Sequence, residues 1–328
     1  MDHPHRRHIL LAAAASALAC TGLAQAQEAY PLRKPITLVV PFAPGGGNDI
    51  LARAIAPALG QILKQKVIVD NRPGAGGNLG AEQVVRASPD GYTLLIASNQ
   101  VTIDPALGLK APFRVDRDFE PVGQIASVPI LLVAHKEEPY RTVPEFIQYA
   151  RANPGKISYG SPGNGTPQHL AGEVFASMTK TQLQHIPYKG TGPSITDLMG
   201  GQIQVSFATL ASVIQYVESG RLRPLGIAGQ SRSAALPDTP TFGDAGIANY
   251  EAALWYSLLV PAKTPAPVIA ALNAALVQVL AQPQLKQQLA KQGFETRSSS
   301  PAELKAIIEK DLARWERVVK DNRIRIEQ

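Results

Sequence analysis

Ile36-Thr37-Leu38-Val39-Val40 runs apolar without alternation, which predicts a strand buried on both faces. After a glycine-rich turn, Leu51, Ile55, Leu59 and Ile62 recur at helical spacing, with Asn48 placed to cap the helix start. Val67 to Val69 reads as the next strand, Asn78 to Ala87 as the next helix and Thr93 to Ala97 as the third strand. Strand, helix, strand, helix and strand with short links predict a right-handed, mostly parallel sheet covered on both sides.

The same grammar restarts after residue 128. Ile130 to Ala134 reads as a strand, and Thr142-Val143-Pro144-Glu145 has the layout of a capping box opening a helix to about Asn153. Further strands are expected at Ile157 to Tyr159, Leu183 to Ile186, Ile203 to Phe207 and Leu225 to Ala228, with helices at 166–178, 191–199 and 209–219. Beyond Pro265 the chain reads as helical. Val268, Leu272, Leu276 and Leu280 form one apolar stripe, and Leu304, Ile308, Leu312 and Trp315 another.

From about residue 260 the pattern offers helices but little sheet, while the first unit has three clear strands. Those helices need a sheet to cover. The expected organisation is therefore a discontinuous first lobe, 27–128 and 253–328, with a second lobe, 129–252, inserted into it. Two chain crossings, near Gly123–Pro129 and Tyr250–Ser257, would form the hinge.

Composition sharpens this picture in two places. Hydrophobic residues make up 45% and charged residues 18% of the 328, a globular balance that disorder would not show. The single Cys, Cys20, excludes a disulfide framework and a cysteine zinc site. At the N-terminus Arg6 and Arg7 precede an apolar run from Ile9 to Ala19, and Ala24-Gln25-Ala26 follows as a small-x-small cleavage pattern. The run falls short of the ~20 residues a spanning helix needs. Residues 1–26 are thus read as a signal peptide cleaved after Ala26, placing the protein in the periplasm. Arg6-Arg7 leaves a twin-arginine route open, and a lipid anchor at Cys20 is the less favoured variant, since Ala17-Leu18-Ala19-Cys20 is a poor lipobox.

Removing 1–26 takes away two Arg and one Asp, leaving 30 basic and 25 acidic residues, net +5. The basic residues are spread among acidic ones with no stripe and no recognisable module, so nucleic-acid binding is not indicated.

Three loops carry candidate chemistry. Phe42-Ala43-Pro44-Gly45-Gly46-Gly47-Asn48-Asp49 follows a buried strand and opens a helix. Open sheets bind ligands at such strand ends, and a helix start leaves N–H groups free to face an anion. Tyr159-Gly160-Ser161-Pro162-Gly163-Asn164-Gly165-Thr166-Pro167-Gln168-His169 repeats the design, and Pro187-Tyr188-Lys189-Gly190-Thr191-Gly192-Pro193 is a third such start. Together they suit a small acid held by backbone donors and hydroxyls without ion pairs. His169, in the first helical turn, could donate to a ligand. Asp49 is first a capping or dipole partner, with direct ligand contact as the alternative. Ser98, Asn99 and Thr209 would set ligand size.

Other readings of these loops fail on detail. No Gly-Lys-Ser/Thr follows the first loop, and Gly74-Ala75-Gly76-Gly77-Asn78-Leu79-Gly80 has Leu79 where a dinucleotide pattern needs its third Gly. Simple tight turning is the bland alternative for both. Gly160-Ser161-Pro162-Gly163 lacks the spacing of a nucleophile elbow. His135, His169 and His185 have no metal-ligand spacing, so neither metal nor cofactor is implied. An exported serine hydrolase using Ser161 or His169 remains an alternative, because a spatial triad need not show in sequence. Trp255 and Trp315 read as packing residues.

The chain resembles the Bug family, the extracytoplasmic solute receptors of tripartite tricarboxylate transporters. The residues that carry the resemblance are Tyr30-Pro31, Lys34-Pro35-Ile36, Val39 to Gly46 with Asp49 and Ala52-Arg53, and Asn71-Arg72-Pro73-Gly74-Ala75-Gly76-Gly77. They continue through Asp90-Gly91-Tyr92-Thr93-Leu94-Leu95, Gly165-Thr166-Pro167, His169-Leu170-Ala171-Gly172-Glu173 and Pro187-Tyr188-Lys189-Gly190. Gly200-Gly201-Gln202 and Leu236-Pro237-Asp238-Thr239-Pro240-Thr241 complete the set.

The resemblance implies an α/β periplasmic binding protein fold of type 2, two α/β lobes around a hinge and central cleft. It implies that Phe42–Gly46 and Ser161–Thr166 grip a carboxylate, partly through ordered water, and that Gly47-Asn48 occupies variable positions. Similar receptors take di- and tricarboxylates, aromatic acids, nicotinate or amino acids. The implied role is a monomeric, non-catalytic receptor that hands its acid to membrane permease subunits. Ligand sensing with a membrane histidine kinase is the alternative.

Overall fold

The computed structural model describes residues 30–108, 112–229, 231–250, 252–322 and 324. The signal peptide expected at 1–26, with Cys20, lies outside the described residues.

The first half follows the predicted grammar: β1 (Ile36–Val40), α1 (Gly47–Leu63), β2 (Val67–Asn71), α2 (Asn78–Val85) and β3 (Thr93–Ser98). Two short helices, α3 (Gln100–Ala106) and α4 (Val115–Asp118), lead into the long strand β4 (Phe119–His135). Next come α5 (Val143–Ala152), β5 (Ile157–Ser161), α6 (Pro167–Thr179), β6 (Leu183–Pro187), α7 (Thr191–Met199), β7 (Val205–Thr209), α8 (Leu210–Glu218) and β8 (Leu222–Ala228). The chain closes with β9 (Ala253–Pro261), α9 (Ala266–Ala281), α10 (Pro283–Lys291), the two-residue β10 (Glu295–Thr296) and α11 (Pro301–Asp321).

The strands form one path, β2-β1-β3-β9-β4-β7-β5-β6, with β8 and β10 also pairing β4. Its outer parts are parallel, β1 to β2 and β3, and β5 to β6 and β7. The centre is not. β9 runs antiparallel to β3 and to β4, and β4 antiparallel to β7 and β8. The expectation of a mostly parallel sheet therefore holds for the flanks and fails at the centre.

Two sequence features hid the centre. β4 begins 11 residues before Ile130, because Pro121, Gly123 and Pro129 disguise a strand whose register shifts at Pro121/Gly123 and at Gln124/Ala126. β9, Ala253 to Pro261, is the sheet missing from the expectation that the C-terminal part offers little sheet. Along β4, Phe119 to Pro129 pairs with β9, whereas Ile130 to Ala134 pairs with β7. The sheet thus passes from one half to the other at Pro129/Ile130, where β9 begins at Ala253.

The apolar stripes pack as their spacing requires. Leu272, Leu276 and Leu280 of α9 join the core around β1, and Leu304 and Ile308 of α11 join a second cluster with Leu95, Leu259 and Trp255. Trp315 packs with Ile103 of α3 and Leu170 of α6, so α11 touches both halves of the molecule. Among the described residues no single helix is long and apolar enough to cross a membrane.

Two expected caps differ. The N-cap of α1 is Gly46, while Asn48 lies inside the helix and its Nδ2 donates to Ile96 O at 3.0 Å, tying α1 to β3. Thr142 accepts from Glu145 N, but the Glu145 carboxylate reaches the N–H of Arg141, so the reciprocal half of a capping box is absent there. Ser300 and Glu303 make both halves at the start of α11.

Candidate functional site

Three helix N-termini meet. α1, α6 and α7 start beside one cleft lined by Phe42, Gly46, Gly47, Asn48 and Ser98, by Pro162, Gln168 and Thr191, and by Leu254 of β9. None of these carries a charge. Neither Gly46 nor Gly190 makes a side-chain cap, so the first N–H groups of α1 and α7 have no intrahelical acceptor. Thr166 caps α6 through its Oγ1, accepting from His169 N at 3.4 Å.

The cleft is shut. Ala43 N donates to Lys189 O at 3.0 Å, joining the first loop to the third. A Cβ built on Gly192 would lie 2.2 Å from Pro44 O, one on Gly190 2.8 Å from Ala43 N and one on Gly76 2.3 Å from Asn164 O. Glycine is required here by close backbone approach between the halves. The remaining space, about 10 Å³, is room for roughly one water.

The loops are braced from behind. The Asp49 carboxylate accepts from Gly45 N, Asn71 Nδ2 and Arg53 Nε, each at 3.0 Å, and Asn71 Nδ2 also donates to Phe42 O at 3.0 Å. Burial opposes ionisation of Asp49, but the hydrogen bonds from Arg53, Gly45 and Asn71 outweigh it and hold its pKa below the ordinary value. Asp49 thus shapes the loop and stands outside the lining.

The second loop closes on itself. Thr166 Oγ1 donates to Gly163 O at 2.7 Å, Gly163 N donates to Ser161 Oγ at 3.1 Å, and Ser161 Oγ meets His185 Nε2 at 2.6 Å. His169 stacks on His185 with ring centroids 3.8 Å apart, and its Nδ1 accepts from Gly165 N at 3.3 Å. Burial drives His169 down to about 3, with His185 adding to the effect, and burial alone drives His185 to about 4. Both rings are neutral at pH 7.

Of the residues singled out in the sequence, Phe42, Gly46, Ser98 and Thr191 line the cleft. Ala43, Pro44, Gly45 and Gly190 form its closed seam. Ser161, Gly165, Thr166 and His169 hold the second loop together beneath it. Asn99 donates to Ala253 O and leaves its Oδ1 buried without a partner among the described residues, and Thr209 faces Ser212 and Gly47. Gly47, Asn48, Pro162 and Gln168 belong to the loops read from the sequence but are not named there as ligand contacts, and Leu254 is not read at all. Gly47, Asn48 and Gln168 sit one to three positions from a recognised helix start, a signal that could have found them; Leu254 belongs to the unread strand β9.

A Ser–His contact does exist, but Ser161 is fully buried and bonded within its own loop, and no carboxylate is among the causes of the His185 shift. Such a pair lacks the exposed nucleophile and oriented base of acyl transfer. Among the described residues there is no group of three or more His, Cys, Asp or Glu that could hold a metal ion.

The profile of the tripartite tricarboxylate transporter family receptor, TctC, matches residues 51–324. A UPF0065 protein from the tcbD-tcbE intergenic region of Pseudomonas sp. (strain P51) is 34% identical over 98% of this chain and 96% of its own. Protein BugT of Bordetella pertussis is 32% identical over 95% of this chain and 97% of its own. Among solved structures, a periplasmic transporter superposes with a TM-score of 0.88 at 38% identity, covering 91% of this chain and 100% of its own. Rpa4515 of R. palustris, solved with adipate, gives 0.87 at 34% identity, over 90% and 99%. MatC of Rhodopseudomonas palustris, solved with bound malate, gives 0.85 at 31% identity, over 88% and 100%.

The family is one of transporter receptors, and a solved neighbour is a periplasmic binding protein, which sets the hydrolase reading aside. The fold is that of the periplasmic binding proteins, and the chain belongs to the TctC family of tripartite tricarboxylate transporter receptors, a family of periplasmic solute-binding proteins rather than enzymes.

Proposed function

We propose that this receptor closes on a small organic acid, a di- or tricarboxylate or an aromatic carboxylate, and delivers it to the permease subunits of a tripartite tricarboxylate transporter. The observation that carries the reading is the convergence of three uncapped or partly capped helix starts on a lining without charged side chains. A carboxylate there gains about 0.3–1 kcal/mol from each helix dipole. Charge-assisted bonds from free N–H groups add about 1.5–3 kcal/mol each. The adipate and malate held by two similar structures support the same ligand class.

Residues 27–128 with 253–328 form one lobe in this reading, and 129–252 the other. The passage of β4 between half-sheets at Pro129/Ile130 and the start of β9 at Ala253 support these boundaries. Closure then follows from differential binding, since the ligand meets donors of both lobes in the closed state alone. A segment of 26 residues, removed on export, would place the mature receptor in the periplasm.

Isothermal titration of the mature protein against adipate, malate, citrate and benzoate tests the proposal. Saturable binding of at least one acid is expected. Silence across the panel, or chemical turnover of a bound acid, contradicts it. Copurification of the ligand-loaded receptor with membrane proteins tests delivery: recovery of permease subunits supports it, and recovery of a histidine kinase in their place overturns it.

A further inference from the structure

A larger crevice lies on the other face of the crossing strands. Successive side chains of a strand point to opposite faces. Leu254 of β9 lines the closed cleft, and its neighbours Ala253 and Trp255 line this crevice together with Ser127, Val128 and Pro129 of β4. Its volume is about 690 Å³, against about 10 Å³ in the cleft. That lies within the range of roughly 300–1,000 Å³ that holds drug-sized ligands.

The walls have a consistent chemistry. Trp255 and Phe294 supply an aromatic side. Arg232 comes from the loop after β8, Arg297 follows β10, and Lys310 and Arg314 come from α11. Glu295 and Asp311 are the acidic lining residues. Asp311 is buried and committed to Thr102 Oγ1 at 2.6 Å and Trp315 Nε1 at 3.1 Å. Arg232 pairs with Asp244, Arg297 with Glu295 and Arg314 with Asp311, whereas Lys310 makes no ion pair among the described residues. The Trp255 side chain is 8% exposed, and its indole N–H is near Asp311 without making a hydrogen bond of normal geometry. A buried donor that makes no hydrogen bond among the described residues, in a crevice that also holds Lys310, is a site that an acceptor would complete.

We propose that this crevice is a second binding site, for a small carboxylate with an aromatic body, separate from the interloop cleft. The carboxylate meets Lys310 and the flanking guanidinium groups, and the ring lies against Trp255 and Phe294. Its floor is the pair of strands that crosses between half-sheets, and its walls come from both sides of that crossing.

Nitrogen-15 correlation spectra of the labelled mature protein read the site directly, because the chain has two Trp and so two indole N–H signals. A Trp255→Phe variant assigns them. Titration with benzoate is expected to move the Trp255 signal saturably. The doubly reversed variant Arg297→Glu/Lys310→Glu, at exposed positions that leave the fold intact, is expected to weaken that response by about tenfold or more. An unmoved Trp255 signal overturns the proposal, and so does a response that survives charge reversal, since it then arises in the cleft. A protein that binds no acid in the cleft yet keeps a charge-dependent Trp255 response loses the function proposed above and keeps this site.

Discussion

Gly47 and Tyr256 are matched in direct contact: a Cβ built on Gly47 would lie 2.1 Å from Tyr256 Oη. Tyr256 is fully buried on β9 and packs edge-on against Phe294. The first residue of α1 is therefore glycine because a phenol stands where its side chain would go.

Gly47→Ala is expected to lower stability by about 1–3 kcal/mol through overpacking, despite the better helix propensity of Ala. In a Tyr256→Phe background the cost should shrink, because the nearest atom is removed while the ring carbon at 3.0 Å stays. Urea unfolding of the four proteins of this cycle checks it. Equal costs in both backgrounds would disprove the match.

Gly192→Ala separates closure from folding. Its Cβ would meet Pro44 O at 2.2 Å only when the two halves are together. Ligand affinity should fall about tenfold or more, at the scale of 1.4 kcal/mol per decade. The unfolding midpoint should barely change, and small-angle scattering should show a more extended particle. Wild-type affinity in this variant would refute the seam.

Asp49→Ala removes the acceptor shared by Gly45 N, Arg53 and Asn71. Leaving those donors without it should cost about 1–3 kcal/mol. The depressed pKa of Asp49 gives a stability contribution present above its unfolded value near 3.8 and lost as pH falls through the folded one. Stability measured between pH 3 and pH 5 should therefore depend less on pH in the variant.

The stacked histidines give a second pH dependence at higher pH. Both folded pKa values, about 3 for His169 and about 4 for His185, lie below the unfolded value of 6.5. Their contribution is complete above 6.5 and declines as pH falls toward 4, because the unfolded chain takes up protons that the fold refuses. At pH 5 the loss reaches up to about 2 kcal/mol per ring, at 1.36 kcal/mol per unit. Asp104, raised by burial to about 6 although Asn78 donates to it, works in the opposite sense below that pH. His169→Gln/His185→Gln should flatten the profile between pH 4.5 and pH 6.5 or reverse its slope, read by denaturant titration at each pH.

Local signals exposed much of this site. Glycine loops after buried strands pointed to the three helix starts, because turn chemistry and capping act over a few residues. The seam was legible as glycine and illegible as contact. Gly192 reads as a turn until Pro44, far away in sequence, is set against it. Leu254 was lost with β9, whose pairing with β3 and β4 spans more than 100 residues.

From the chain alone follow the strand–helix repeats of the flanks, the apolar stripes of α9 and α11, and an anion-friendly character for the loops, since period, caps and free N–H groups are properties of neighbouring residues. Folding alone decided that β4 and β9 cross antiparallel through the centre, that Asp49 braces its loop from outside the lining, and that Ser161 meets His185 rather than His169. Each of these depends on residues brought together from distant parts of the chain, and their partners are chosen by packing and burial rather than by spacing.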